Sequence, residues 1–425
     1  MSGHGAPPVG TLLRLSIPAI LVGVVSALSL FAVEEAAHLL EHLLWEALPL
    51  AWGIDPASGW WIFGVLAVTG LLIGIILTYV PGHGGHDSAT VQLIAPPIAL
   101  AAVPGLVVVT VLALAGGVSL GPEGPIIAIN TAVLIALVAR LWPGVGVELV
   151  MMLTIAGTIG ALFGTPVAAI LILTGVAAAA GSGGGLWDRL FLPLASAGAG
   201  AVTMRMLAGS PFPATGLPPL GTPELSQVLA GTAVACGAAA VVVAGAFLFR
   251  PLHAAFRRLG RPLVYTTLGG LILGGLGALG GPLTLFKGGS QAADIVRNAE
   301  DYTALQLAVI VAIKLAALLI AATAGFRGGR IFPAAFIGVV AGLLGHMLLP
   351  AVPLGLALAC GVLGAVIAEC RDGWIALFIA VAVVGDITVL PVLCLVLLPV
   401  WLLVSRAPVM HVHLAEHQKP SESPA

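Results

Sequence analysis

Apolar stretches alternate with short polar or Gly/Pro-rich breaks along almost the whole chain. They occupy residues 12–33, 60–80, 98–115, 126–141, 147–163, 167–180, 190–207 and 228–249, then 263–279, 304–324, 331–349, 353–367, 374–384 and 389–404. A straight bilayer span needs about 20 apolar residues, and many of these stretches are shorter. Several end in Gly-Pro clusters, most plainly Gly121-Pro122-Glu123-Gly124-Pro125. The pattern predicts an all-α, polytopic membrane protein in the cell membrane, with many tilted and broken helices. Broken helices survive in lipid only where their freed backbone groups are buried or line a polar cavity.

The breaks recur. Ala156-Gly157-Thr158-Ile159-Gly160-Ala161 resembles Cys360-Gly361-Val362-Leu363-Gly364-Ala365, and each copy follows a Gly-rich break, at Gly121 and at Gly328-Gly329-Arg330-Ile331-Phe332-Pro333. Interrupted helices at matching places in two halves point to a binding site at the repeat interface, commonly with inverted topology. The expected organisation is a 1–11 tail, a first half over 12–249, a basic cytoplasmic linker over 250–262, a second half over 263–405 and a polar 406–425 tail. Arg250, Arg257, Arg258 and Arg261 place the linker in the cytoplasm by the charge bias of short loops.

Composition agrees: of 425 residues, 60% are hydrophobic and 8% charged, and the mean hydropathy is +1.15. A soluble domain carries about 25% charged residues. A net charge of −2 gives no basic face for nucleic acid, and the four cysteines lack zinc-site spacing. No nucleotide loop or catalytic constellation appears, so neither an enzyme nor a cofactor is expected.

The candidate chemistry lies at the breaks. Pro and Gly around Glu123 are helix-start signals, and a helix N-terminus offers unpaired N–H groups and partial positive charge. Such a site attracts an anion, or a carboxylate in the anion's place. Glu123 is that carboxylate, free to yield when protonated or displaced; capping a helix is the blander alternative.

These residues resemble the CLC family of chloride channels and anion/proton antiporters, over about 12–405. Gly121-Pro122-Glu123-Gly124-Pro125 is similar to the family's Gly-Arg/Lys-Glu-Gly-Pro, whose Glu is the outer gate. Gly329-Arg330-Ile331-Phe332-Pro333 is similar to its Gly-x-Phe-x-Pro, whose amides face the ion; 157–173, with Pro166, and 269–281 resemble two further Gly-rich helices. The resemblance implies a CLC-type inverted repeat, one path per subunit for chloride or fluoride, and a homodimer in the bilayer. Glu123 would be the gate. Gly85, His86, Asp87, Ser88, Gly121, Pro122, Gly124, Gly329, Arg330, Ile331 and Phe332 would line the anion.

The chain departs from the pattern in four places. Gly85-His86-Asp87-Ser88-Ala89 stands where the family has Gly-Ser-Gly-Ile-Pro, so His86 replaces the anion-touching serine or Ser88 supplies it. Asp87 must pair with a cation or cap a helix. Arg330 is unusual; it is expected to meet an anion, Glu123 or Asp87, or to reach an aqueous vestibule, while Arg327 fits the membrane edge. Gly175 and Val176 stand where antiporters carry an inner glutamate, and none of Tyr79, Tyr265 and Tyr302 lies in the final helix region. Fluoride-exporting members also diverge in the first motif and lack that glutamate, although their own signature is missing here too. The competing reading is a cation or metal transporter using His83, His86, Asp87, Glu123 and Glu369, the last set beside Arg371 and Asp372. His411, His413 and His417 read as a solvated tail.

Overall fold

A computed structural model describes residues 9–179, 186–209 and 216–412; Val176 (side chain), His413 and His417 fall outside what it describes. Nearly every described residue outside the breaks is helical. The first half comprises α1 (Val9–His42), α2 (Leu48–Trp52), α3 (Gly59–Tyr79), α4 (Val103–Ala115), α5 (Glu123–Leu141), α6 (Val147–Phe163), α7 (Pro166–Ala179), α8 (Leu186–Ala208) and α9 (Leu225–Arg257). The second comprises α10 (Pro262–Gly280), α11 (Gly289–Arg297), α12 (Ala304–Thr323), α13 (Ile331–Leu348), α14 (Leu354–Cys370), α15 (Gly373–Val384) and α16 (Leu390–Val404). Among the described residues nine helical stretches are long and apolar enough to cross a membrane, and five more apolar helices are shorter. The protein is a multi-pass membrane protein.

Three differences from the sequence reading have simple causes. The first apolar stretch runs on helically to Trp52, 41 residues from Leu12. At 1.5 Å per residue that is about 60 Å, twice the hydrocarbon core, so its polar end at Glu34, Glu35, His38 and Glu41 extends along or beyond the bilayer. The connection between halves is shorter than 250–262, because α9 stays helical to Arg257 and α10 begins at Pro262. Helix α11 was not foreseen: its mixed sequence hides an apolar stripe that buries Ile295 and Val296.

The repeat is structural. Glycine at Gly160 of α6 lets the helix sit against α8, where a Cβ would lie 2.2 Å from the Ala197 carbonyl oxygen; the matching Gly364 of α14 sits against α9, with Ala235 O at 2.0 Å. Small residues thus supply the close packing that lipid cannot drive. Both copies end in a left-handed residue, Gly164 (φ +67°) and Arg371 (φ +57°), before the next short helix. Helices α3 and α10 cross antiparallel, with Phe63 against Gly274, Gly70 against Gly270 and Gly74 against Leu263. Antiparallel pairing of equivalent elements is what inverted halves produce.

Buried polar groups fix α5 and the break before it. Asn130 Nδ2 donates to Ser26 O (3.2 Å) and Thr158 Oγ1 (3.0 Å), joining α5 to α1 and α6. Lys314, buried in α12, donates to the carbonyls of Thr284 (3.1 Å), Leu285 (2.8 Å) and Phe286 (2.7 Å). Those three bonds use all of its N–H donors. Segment 281–288 in turn holds the break, through Phe286 N–H to Gly117 O (3.0 Å) and Ser119 Oγ to Thr284 O (3.2 Å).

Candidate anion site

The two Gly-rich breaks meet. Gly121 and Gly329 exchange both backbone hydrogen bonds, N–H to O at 2.8 and 2.7 Å, as an isolated antiparallel bridge. Helices α5 and α13 therefore start side by side, one from each half. Between them lies Glu123, fully buried. Its Oε1 accepts the Phe332 N–H in the first turn of α13 at 2.9 Å. Its Oε2 has no hydrogen-bond partner among the described residues. A Cβ on either Gly121 or Gly329 would lie 2.1 Å from that Oε2, so the two bare glycines form the cradle in which the oxygen rests. A carboxylate thus occupies a position where amide dipoles attract negative charge.

Glu123, Gly124, Gly329, Arg330 and Ile331 border a cavity of about 140 Å³, closed on its other sides by Val91–Ile94, Ile172, Glu369, Asp372 and Val409–His411. One water needs roughly 10–15 Å³ on this measure, so the space accommodates a small ion with several waters. Arg330 and Glu369 are paired in its wall, Nε to Oε1 at 2.6 Å, both less than a tenth exposed. The guanidinium also donates to the Ser88 and Val91 carbonyls. The expectation that Arg330 meets Glu123 or Asp87 is corrected: its partner is Glu369, near the C-terminal end of α14. Nor is Glu369 paired locally, because Arg371 instead donates to the carbonyls of Val404, Ala407 and Pro408 (2.8 Å). Asp372 caps α15, accepting from the N–H groups of Trp374 (2.9 Å) and Ile375 (3.0 Å).

The 80–99 segment sits beside these breaks and is held by a second set of charges. It turns through positive φ at Gly82, His83, Gly84 and Gly85. Arg327 fills the turn, donating to the carbonyls of Gly84 (3.1 Å), His83 (3.2 Å) and Gly325 (3.2 Å) and pairing with Asp87 at 3.4 Å. It is buried, because the carbonyls exposed by a left-handed turn need a donor. Asp87 pairs with cations, as foreseen, but caps no helix: residues 87–99 are non-helical and its side chain closes a turn instead. It accepts the Ala89 N–H (3.3 Å), and it pairs with Arg257 and His253 (3.1 Å) at the end of α9. Burial alone would raise the Asp87 carboxyl, but the His253 hydrogen bond and the Arg327 and Arg257 charges outweigh it and hold it near a pKa of about 2. Arg257 also meets the Tyr265 hydroxyl and stacks on its ring.

Of the sequence candidates, Glu123, Gly124, Gly329, Arg330 and Ile331 share the 140 Å³ cavity, and Gly121 and Phe332 touch Glu123 directly. Pro122 is the residue before α5. His86 and Ser88 instead line a 20 Å³ space beside Gly124 and Gly328. The Ser88 hydroxyl is engaged there: it accepts the Gly328 N–H (2.9 Å) and lies 2.8 Å from Phe326 O and 3.0 Å from Gly328 O. Gly85 packs near Leu106. His83 and His86 do not converge, since Nδ1 of His83 faces Leu77 O (2.9 Å) and Nε2 of His86 faces Pro96 O (3.1 Å). Among the described residues no group of three or more metal-ligating side chains comes together, and the metal-cluster reading is not favoured. Sequence reasoning missed Val91, Met410 and His411 as cavity walls and gave Glu369 a role only in the competing reading. Two charges at the ends of apolar stretches, Arg330 before 331–349 and Glu369 after 353–367, were the available signal.

The sequence pattern of the family described as voltage gated chloride channel matches residues 69–399. Proteins named ion-transport protein YfeO are similar over nearly full length: 43% identical in Escherichia coli O9:H4 (strain HS) and 44% in Shigella boydii serotype 4 (strain Sb227), each alignment spanning 98% of this chain and 99% of the relative. Among solved structures, a CLC-type fluoride/proton antiporter superposes with a TM-score of 0.76 at 18% identity, covering 95% of this chain and 98% of that one. A slow cyanobacterial Cl−/H+ antiporter gives 0.72 at 17%, covering 93% and 96%. With its inverted halves, paired breaks and buried glutamate in view, the chain belongs to the voltage-gated chloride channel (CLC) family.

Proposed function

We propose that this protein moves a small inorganic anion, chloride or fluoride, across the cell membrane through the 140 Å³ cavity, with Glu123 as the gate. The observation that carries the reading is the hydrogen bond from Phe332 N–H to Glu123 Oε1, with Oε2 unpartnered in its glycine cradle. A carboxylate held by helix-start dipoles occupies the place an anion would take, so the two compete. Neutral amides suit a transported ion because they hold it firmly enough to replace water and loosely enough to release it. Protonation removes the charge that keeps Glu123 in place, and the side chain then leaves the amide to the incoming anion. The basic end of α9 faces the cytoplasm, which makes the 80–99 segment, tied to Arg257, part of the inner approach. Two copies form a homodimer with separate paths.

Anion efflux from liposomes holding the purified protein tests this, with chloride and with fluoride. Wild type is expected to carry one or both, and Glu123→Ala and Glu123→Gln are expected to change the rate and its pH dependence. Equal flux in all three removes Glu123 from the gate. A reversal potential that follows only a cation gradient rejects anion transport altogether.

A further inference from the structure

Resting on that reading, we infer that Arg330 and Glu369 form a second, proton-linked element of the anion path: when Glu369 takes a proton, the Arg330 guanidinium is released to the anion in the cavity. The pair sits in the cavity wall, close to the gate but on other helices. Glu369 is the carboxylate that pairs with Arg330 among the described residues; the guanidinium's other contacts are carbonyls and the Phe249 ring. An anion entering this space while Glu123 and Glu369 are both ionised meets three carboxylates, Asp372 included, and one guanidinium. A proton on Glu369 removes one of the negative charges and frees the bidentate donor best suited to bind an anion.

The chemistry balances. A proton arriving from bulk solution as hydronium bonds to a Glu369 carboxylate oxygen and leaves water behind, the ion pair opens, and the anion's charge replaces the carboxylate's beside Arg330. Other charged groups around Glu369 are already engaged. Asp372 caps α15, and Arg371 is spent on backbone carbonyls. Cys370 adjoins Glu369 on α14, and His411 closes the cavity with Nε2 3.1 Å from Thr90 O. On α9, Arg250 donates to His411 O (3.3 Å), while His253 and Arg257 belong to the Asp87 cluster. On α13 the remaining group is His346, held at the far end by Val352 O (2.7 Å), and Arg406 follows α16. Helix α15 carries no ionisable side chain, and α16 carries Cys394 alone.

Linkage makes this measurable, because a proton that strengthens anion binding must itself be bound more tightly when the anion is present. Calorimetric titration of the purified protein with chloride and fluoride is run at about pH 5 and about pH 8, a thousandfold difference in proton concentration. Running each titration in two buffers of different ionisation heat counts protons taken up. Wild-type affinity is expected to fall as pH rises, at most about tenfold per pH unit for each linked proton. Glu369→Gln is expected to bind the anion at the higher pH at least as tightly as wild type does at the lower, with fewer protons taken up. Any uptake that remains belongs to Glu123, and Glu123→Gln/Glu369→Gln is expected to show none. The neutral pair Arg330→Gln/Glu369→Gln avoids stranding a buried charge and is expected to bind at least tenfold more weakly than Glu369→Gln. Wild-type pH dependence and proton uptake in Glu369→Gln overturn the inference, as does equal affinity in the neutral pair. Flux sensitive to Glu123 but not to Glu369 overturns this inference alone; a wild type that carries no anion overturns the proposed function with it.

Discussion

Two groups of buried charge lie close together and differ in one respect. Around Arg327, the left-handed 82–85 turn, Asp87, His253, Arg257 and Tyr265 form a closed cluster in which the charged groups bond to one another or to carbonyls. Around Glu123, one carboxylate oxygen is left bare and the Arg330–Glu369 pair borders a cavity large enough for an ion. Saturation fastens a fold, whereas an unsatisfied acceptor beside a space implies that something comes and goes. The difference separates a structural cluster from the proposed transport site although both use the same residue types.

The comparison can be broken first at Arg327. Arg327→Met strands the His83, Gly84 and Gly325 carbonyls and leaves Asp87 one cation short. Removing one partner of a buried ionic cluster costs about 3–5 kcal/mol, so the variant is expected to unfold or aggregate in a thermal melt in detergent. Glu123→Gln, by contrast, is expected to melt at or above the wild-type temperature, since it gives up a buried unpartnered carboxylate oxygen.

A smaller effect separates the groups by pH. The Asp87 pKa is held below its unfolded value of 3.8, at about 2, so its stabilisation is fully present above the unfolded value and disappears as pH falls through the folded one. That shift corresponds to about 2 kcal/mol lost between about pH 4 and pH 2. Asp87→Asn is expected to flatten this part of the acid-unfolding curve, read by tryptophan fluorescence. An unchanged curve would place the acid sensitivity elsewhere.

The smallest change probes the cradle. In Gly121→Ala the new methyl enters the space of Glu123 Oε2, and the flexible carboxylate end is the atom that must move. Raised anion leak is expected, with no further rise when Gly121→Ala is added to Glu123→Ala. Additive effects of the two changes would mean that the methyl acts on something other than the carboxylate.

Much of this was legible in the residues. The 147–163 stretch is helix α6 to the residue, and the Gly121 and Gly329 breaks, read as equivalents, pair with each other. Patterns of this kind are local, set by apolar run length and by Gly and Pro. Partner choice is not local. Arg330 and Glu369 are 39 positions apart, and Asp87 and Arg327 are 240. Each Arg could have met any nearby acid until packing of α14 and α9 decided which one stood within reach. The family resemblance singled out Glu123 but not its surroundings, because His86, Asp87 and Arg330 depart from the pattern where the wiring is new.

The most direct measurement is the structure of Glu123→Ala crystallised with bromide, whose anomalous scattering locates the ion. Bromide is expected within hydrogen-bonding distance of the Phe332 N–H, where Oε1 lies in the wild-type chain. Bromide bound only elsewhere, with that amide left to water, would contradict the claim that the carboxylate stands in for the transported anion.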